Sequence, residues 1–112
     1  MALSTTYSAN EPTREEVEGL AGPAVLEFGS PSCGYCYAAQ APIAAAFAGH
    51  AEVLHIKIAD GRGGHLGRSF GVKLWPTLVF MNHGQEVVRL VRPGDAGPIR
   101  GALRSIHAPA DE

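Results

Sequence analysis

The two cysteines of the chain, Cys33 and Cys36, are separated by only two residues and follow a short apolar run, Ala24-Val25-Leu26-Glu27-Phe28. A bond between cysteines this close in sequence cannot link distant segments, so a hydrophobic core has to hold the fold. The chain has 112 residues, of which 46% are hydrophobic and 18% are charged. This length and composition favour one domain over residues 1–112, and the cysteine pair is interpreted as having a chemical rather than a structural role.

The charge and the first residues narrow the expected partners and compartment. The formal net charge is −2, which offers no basic surface for nucleic acid. Residues 1–10 contain no Lys, Arg or apolar run, unlike a secretory signal. No segment has the roughly 20 strongly apolar residues of a membrane helix. We therefore expect a cytoplasmic protein with neither nucleic acid nor a membrane as a partner.

The order of predicted elements is typical of a mixed sheet between helices. Strands are predicted at residues 24–28, 53–58, 77–81 and 86–91, helices at 13–20, 33–48, 65–70 and 95–106, and Leu3–Tyr7 is a weak further strand candidate. Thr13-Arg14-Glu15-Glu16 has the pattern of a capping box, and Gly71 is expected to end its helix in the left-handed conformation. The order predicts an α/β fold with a central mixed sheet of four to five strands and helices on both faces.

The motif Cys33-Gly34-Tyr35-Cys36 lies at the predicted start of a helix that follows a strand. Free N–H groups and the helix dipole stabilise an anion there, so Cys33 is expected to be the thiolate nucleophile. Cys36, one turn later and better buried, is expected to stay protonated and to resolve the mixed disulfide. A Cys-x-x-Cys pair beside a βα unit is typical of a redox motif.

Other interpretations of the pair remain open. A structural zinc site needs four ligands, and the pair supplies two. The others would come from the five histidines of the chain, none of which belongs to a second paired motif. An iron–sulfur cluster shared between subunits would also use thiolates, and an inert buried pair would have no chemistry. The redox interpretation is favoured, and no bound metal is expected.

Several separated segments resemble the thioredoxin superfamily over about residues 24–106. Val25-Leu26-Glu27-Phe28 and the motif Cys33-Gly34-Tyr35-Cys36 resemble its strand and active-site helix. Three later segments resemble the second half of the family's pattern: Phe70-Gly71-Val72, Trp75-Pro76-Thr77-Leu78-Val79-Phe80 and Asn82-His83-Gly84. The resemblance implies a thioredoxin-like three-layer fold and a thiol–disulfide oxidoreductase. It also implies that Pro76 is cis and faces the two sulfurs.

The resemblance further implies roles for residues around the pair. Glu27 occupies the position of a buried acid that, in the family, transfers protons to and from the second cysteine, and Lys57 is its expected partner. Burial predicts a raised pKa for Glu27, as suits a general base. The alternative is a purely structural Glu27–Lys57 ion pair. The residues expected to contact the substrate are Gly34, Tyr35, Trp75, Pro76 and Gly94.

Departures from the thioredoxin pattern affect the surroundings of the motif. Gly34-Tyr35 stands where thioredoxin usually has Gly-Pro and glutaredoxin has Pro-Tyr. Gly29 and Ser32 replace tryptophans, and Trp75 replaces a smaller aliphatic residue. We expect a more open motif and altered docking of clients. The arginines near the C-terminus are interpreted as a solvated face; they are Arg89, Arg92, Arg100 and Arg104.

These observations predict a protein disulfide reductase that acts in cell redox homeostasis and electron transport through Cys33 and Cys36. No bound cofactor is expected. Electrons are expected from a separate NADPH-dependent reductase of the thioredoxin-reductase type or from glutathione, the substrates are protein disulfides, and the chain is expected to be a monomer. One alternative is a glutaredoxin-like, glutathione-coupled enzyme, which Tyr35 suggests and Trp75-Pro76 disfavours. Another is a thioredoxin-fold binding or assembly factor with dispensable cysteines.

Overall fold

The computed structural model describes residues 6–8, 10–61 and 64–107. Along these residues the helices are α1 (Arg14–Glu18), α2 (Gly34–Phe47), α3 (His65–Ser69) and α4 (Ala96–His107), and the strands are β1 (Pro23–Gly29), β2 (Leu54–Ala59), β3 (Thr77–Asn82) and β4 (Gln85–Val91). Each of the eight main predicted elements is found, and no end differs by more than two residues. The weak strand candidate Leu3–Tyr7 falls mostly outside the described residues. Its last residue, Tyr7, forms a parallel bridge with Lys57.

Local signals in the sequence explain where several elements begin and end. Thr13 and Glu16 form the predicted capping box at α1, since each side chain accepts a hydrogen bond from the backbone N–H of the other, at 3.0 and 2.9 Å. Asp95 caps α4 by accepting a hydrogen bond from the N–H of Gly97 at 2.8 Å. Gly71 follows α3 with a φ of 69°, the predicted left-handed conformation.

The strands form a mixed sheet in the order β2-β1-β3-β4. β1 and β2 are parallel, whereas β3 is antiparallel to both β1 and β4. The turn between β3 and β4 has two left-handed residues, His83 at 51° and Gly84 at 77°, as tight hairpins require. A Cβ at Gly84 would also collide with the carbonyl oxygen of Glu18, so this position requires glycine.

Two apolar clusters lie on opposite faces of the sheet. α2 and α4 cover one face, whose cluster consists of Val25, Ala39, Ile43, Ala46, Phe47, Val53, Leu78, Phe80, Ile99, Ala102, Leu103 and Ile106. Side chains of α1 and α3 contribute to the other cluster, which consists of Val17, Ala24, Leu26, Phe28, Ile58, Leu66, Phe70, Val79 and Met81. Because β1 is buried on both faces, its sequence is a continuous apolar run rather than an alternating one. The predicted three-layer α/β fold is confirmed.

The fold places the cysteine motif at the carboxyl ends of the two parallel strands. β1 ends at Gly29, whose carbonyl oxygen accepts a hydrogen bond from the N–H of Asp60, just after β2, at 2.7 Å. α2 begins five residues after Gly29. This edge of a parallel sheet is where binding and catalytic sites of α/β folds occur. Among the described helices, none combines the length and the apolar character needed to cross a bilayer.

Candidate active site

Cys33 caps the N-terminus of α2 with its own side chain. Its Sγ accepts a hydrogen bond from the N–H of Cys36 at 3.2 Å. Desolvation opposes ionisation of Cys33, but hydrogen bonds from the Cys36 thiol and from the N–H groups of Cys36 and Tyr35, together with the charge of Arg92, outweigh it. The pKa of Cys33 therefore lies below its ordinary value. Since Cys33 is also partly exposed, the site presents a sulfur that ionises more readily than an ordinary thiol to an incoming substrate.

Cys36 has the opposite character. It is buried, with 2% of its surface exposed, and burial, the hydrogen bond to Cys33 and the charges of Cys33 and Glu27 raise its pKa to about 11. The backbone at Gly29 lies against its sulfur, because a Cβ added there would be only 2.8 Å from Sγ. Two thiols of unequal acidity thus lie one helical turn apart, in the predicted directions.

The segment Trp75-Pro76 lies against the nucleophile. The peptide bond is cis, as the resemblance implied, Pro76 is buried, and Trp75 O is 3.9 Å from Cys33 Sγ. The indole of Trp75 donates a hydrogen bond to Asp60 Oδ2 at 3.0 Å. This bond ties the indole to Asp60, the residue that follows β2.

Glu27 belongs to a buried network that the sequence did not predict in full. Its carboxylate accepts hydrogen bonds from His55 Nε2 and Gln40 Nε2, both at 2.9 Å. Gln40 Nε2 also donates to the carbonyl oxygen of Cys36 at 2.8 Å, and Gln40 Oε1 accepts from Lys57 Nζ at 3.0 Å. Lys57 is opposite Glu27 in the β1–β2 register, but the hydrogen-bonded path between them passes through Gln40. His55 and Gln40 are therefore parts of the site that the sequence interpretation missed.

The pKa of Glu27 contradicts the prediction. Burial raises this pKa. A larger lowering comes from the hydrogen bonds of His55 and Gln40 and from the electrostatic influence of His55 and Lys57, so the pKa lies below the usual value for glutamate. The prediction of a raised pKa is wrong because it counted burial and not the donors that burial brings with it. Glu27 is a carboxylate at neutral pH, and its negative charge helps to keep Cys36 protonated.

Tyr7 is a further residue that sequence reasoning missed. A Cβ at Gly29 would be 3.2 Å from Tyr7 Oη and 2.8 Å from Cys36 Sγ, so the phenol oxygen and the sulfur both lie close to the same glycine. Lys57 Nζ is 4.6 Å from the centroid of the Tyr7 ring. Burial and the charges of nearby groups raise the pKa of Tyr7 to about 12. An open cavity of about 110 Å³ connects this region with solvent and is lined by Tyr7, Ser30, Pro31, Cys36, Tyr37, Gln40 and Lys57.

The surface around Cys33 includes a cationic side chain that the sequence interpretation did not assign to it. Tyr35 is 61% exposed, and the guanidinium carbon of Arg92 lies 3.9 Å from the centroid of its ring. Arg92 Nε also donates a hydrogen bond to Trp75 O at 2.8 Å. Arg92, interpreted from the sequence as part of a solvated face, is thus a part of the site. Gly34 and Gly94 are exposed, and a Cβ added at either would meet nothing within 4 Å.

The arrangement suits thiol–disulfide exchange. An accessible thiolate can attack a disulfide, and a protonated thiol one turn away can complete the reaction. Within the described residues, no group of three or more His, Cys, Asp and Glu side chains could hold a metal ion.

Comparisons with known proteins agree with this chemistry. The thioredoxin family model matches residues 4–104. The structure of thioredoxin 2 from Pseudomonas aeruginosa PAO1 in its reduced form superposes with a TM-score of 0.82 at 51% sequence identity, covering 93% of this chain and 96% of that one. A search of curated proteins found no match.

More distant structures share the fold. A mutant thioredoxin from Halobacterium salinarum NRC-1 is 21% identical, with a TM-score of 0.74 over 93% of this chain and 91% of that one. A thioredoxin from Nicotiana alata is 23% identical, with a TM-score of 0.71 over 90% and 99%. Fold and cysteine pair together define a thiol–disulfide oxidoreductase. The chain belongs to the thioredoxin family, whose members act on protein disulfides and carry no bound cofactor.

Proposed function

We propose that the chain works as a protein disulfide reductase. The observation that carries this proposal is the unequal acidity of its two thiols: the pKa of Cys33 is lowered, whereas that of Cys36 is raised to about 11. A reductase needs this difference in pKa, because one sulfur must attack the client while the other stays protonated until the mixed disulfide has formed. Two thiols of equal acidity would compete for the same client sulfur.

In the first step the Cys33 thiolate attacks one sulfur of the client disulfide. A bond forms between Cys33 and that sulfur, the client S–S bond breaks, and the other client sulfur leaves as a thiolate that takes a proton from solvent. The charge and the hydrogen bond of Cys33 help to keep the pKa of Cys36 high. Forming the mixed disulfide removes the charge on Cys33, so this step lowers the pKa of Cys36 when its thiolate is needed.

In the second step Cys36 loses its proton and attacks the Cys33 sulfur. A Cys33–Cys36 disulfide forms, and the second client sulfur leaves as a thiolate, so that two electrons have passed to the client. Glu27 and Lys57 are our candidates for moving the proton, supported by the hydrogen bonds through Gln40 to both of them. Because the pKa of Glu27 is lowered, its carboxylate is a weak acceptor, and the open cavity beside Cys36 offers the proton a route to solvent.

We further infer the conditions under which this cycle runs. The dithiol is restored by a separate NADPH-dependent reductase of the thioredoxin-reductase type, which places the protein in a reducing compartment, the cytoplasm, in cell redox homeostasis and electron transport. Residues 1–112 act as one domain, supported by the two clusters that share one sheet, and the chain acts as a monomer. Client chains dock over Cys33 on Gly34, Tyr35, Trp75, Pro76 and Gly94.

The electron donor and the docking surface are tested together by turnover of a protein disulfide. We expect turnover with NADPH and a thioredoxin-reductase-type enzyme to be at least about tenfold faster than with glutathione at the same potential. Trp75→Ala should raise KM for the protein client and keep catalysis, with Trp75→Phe as the matched control that retains an aromatic ring. Turnover with glutathione alone would instead favour the glutaredoxin-like alternative.

A further inference from the structure

The backbone of Arg92 adopts a conformation that side-chain-bearing residues rarely take. Its φ is 51°, in the left-handed region that favours glycine. Within the described residues, the other such non-glycine position is His83, where the β3–β4 hairpin requires it. Arg92 lies after β4, and its N–H donates a hydrogen bond to the carbonyl oxygen of Pro76 at 2.8 Å. Unusual backbone held in place by its surroundings is common at functional sites.

The side chain of Arg92 is fixed from two directions. Nε donates to Trp75 O at 2.8 Å, and the guanidinium lies over the ring of Tyr35, with 3.9 Å between its carbon and the ring centroid. The same oxygen, Trp75 O, is 3.9 Å from Cys33 Sγ. A positive charge is therefore held beside the sulfur that attacks the client.

The outer end of the Arg92 guanidinium is accessible. Arg92 is exposed, and within the described part of the chain its two terminal nitrogens donate to no protein acceptor and meet no carboxylate. Two other arginines are paired instead: Arg14 pairs with Glu18 at 3.1 Å and Arg89 with Glu86 at 2.6 Å. Two fixed parallel N–H donors match the geometry of a carboxylate.

We propose that Arg92 selects clients that carry an aspartate or glutamate side chain close in sequence to the cysteine that Cys33 attacks. The inference rests on the proposed reductase function and names a class of substrate for it. Residues of an extended client lie about 3.3 Å apart, so a carboxylate within about two residues of the client cysteine reaches a guanidinium beside Cys33. Such a client gains a hydrogen-bonded ion pair, whereas a client with a lysine there meets repulsion.

The test uses pre-reduced protein as the sole reductant and two peptide disulfides that differ only in one residue, glutamate or glutamine, next to a cysteine. The measured quantity is the ratio of their rate constants, acidic over neutral, within each variant. A change in the reactivity of Cys33 cancels in this ratio. We expect about a three- to tenfold preference for the acidic peptide at low ionic strength, smaller in added salt.

Matched variants assign the preference to Arg92. Arg92→Asn tolerates the left-handed backbone and removes the charge, so its ratio should fall to about one. Arg92→Lys keeps a charge without the fork and should be intermediate. Arg104→Gln removes one exposed arginine from α4 and should keep the full preference.

Three results would overturn the inference. They are a ratio of about one in the unaltered protein, a preference for the acidic peptide that persists in Arg92→Asn, or an Arg92→Asn variant that reduces glutathione disulfide more slowly and keeps its rates with both peptides. The last would assign the carboxylate to a small thiol rather than to a client chain. Failure of the reduced protein to reduce either peptide would instead contradict the reductase function itself.

Discussion

Replacing Cys33 with serine is expected to abolish reduction of protein disulfides, leaving only the rate of the donor without the protein. Serine has no thiolate to offer, and Cys36 cannot take over because its sulfur is buried and because burial and the charge of Glu27 still raise its pKa. Cys36→Ser is the matched variant, since it keeps the nucleophile and removes only the resolving thiol. It should therefore attack a client once and stop as a mixed disulfide.

Intact-protein mass under non-reducing conditions, with turnover measured in parallel, distinguishes the two roles. Cys36→Ser should yield an adduct equal in mass to protein plus client, and Cys33→Ser should yield none. An adduct on Cys36 in the Cys33→Ser protein would reverse the assignment. If cellular function persisted in both variants without any adduct, the cysteines would be dispensable and the chain would be a binding or assembly factor.

Removing either partner of the buried His55–Glu27 contact is expected to lower the free energy of unfolding by about 3–5 kcal/mol, the effect typical of breaking a buried pair. Both side chains are fully buried, and His55 Nε2 lies 2.9 Å from Glu27 Oε1. His55→Leu leaves a buried carboxylate with fewer donors, and Glu27→Leu leaves donors of His55 and Gln40 without an acceptor. The double variant should lose less than the sum of the two single variants.

Acid unfolding provides a second readout of the same contact. Because the pKa of Glu27 is lowered in the folded state, its carboxylate contributes stability that is fully present above the unfolded value of about 4.3 and is lost as the pH falls through the folded value. Glu27→Leu should lack this loss. The exposed Glu15→Gln is the control and should stay within about 0.5 kcal/mol of the unaltered protein. A carboxyl with a raised pKa would instead gain stability on acidification.

The secondary structure could be predicted from the sequence because its signals are local. The capping box at Thr13, the glycine at position 71 and the apolar run of β1 each act within a few residues of the element that they define. The motif of Cys33 and Cys36 is local as well. A strand before it and a helix beginning within it were therefore sufficient to predict the order of acidity of the two thiols.

The surroundings of the pair could not be predicted in the same way, because they depend on contacts between distant segments. On β2, His55 and Lys57 alternate with residues of the opposite face, so both lie on the face that carries Glu27. Which of them contacts the carboxylate is decided by Gln40, which α2 brings between Glu27 and Lys57. Arg92 gives no local signal either, since its role depends on Tyr35 and Trp75.

Equilibration of the Cys33–Cys36 pair with a dithiol buffer of known potential, read by alkylation and mass, tests the central claim most directly. We expect one reversible two-electron transition, with a potential closer to the value of about −270 mV typical of reducing thioredoxins than to about −200 mV. A pair that resists oxidation, that is recovered bound to metal, or that titrates at about −200 mV or above would contradict a reductase of protein disulfides.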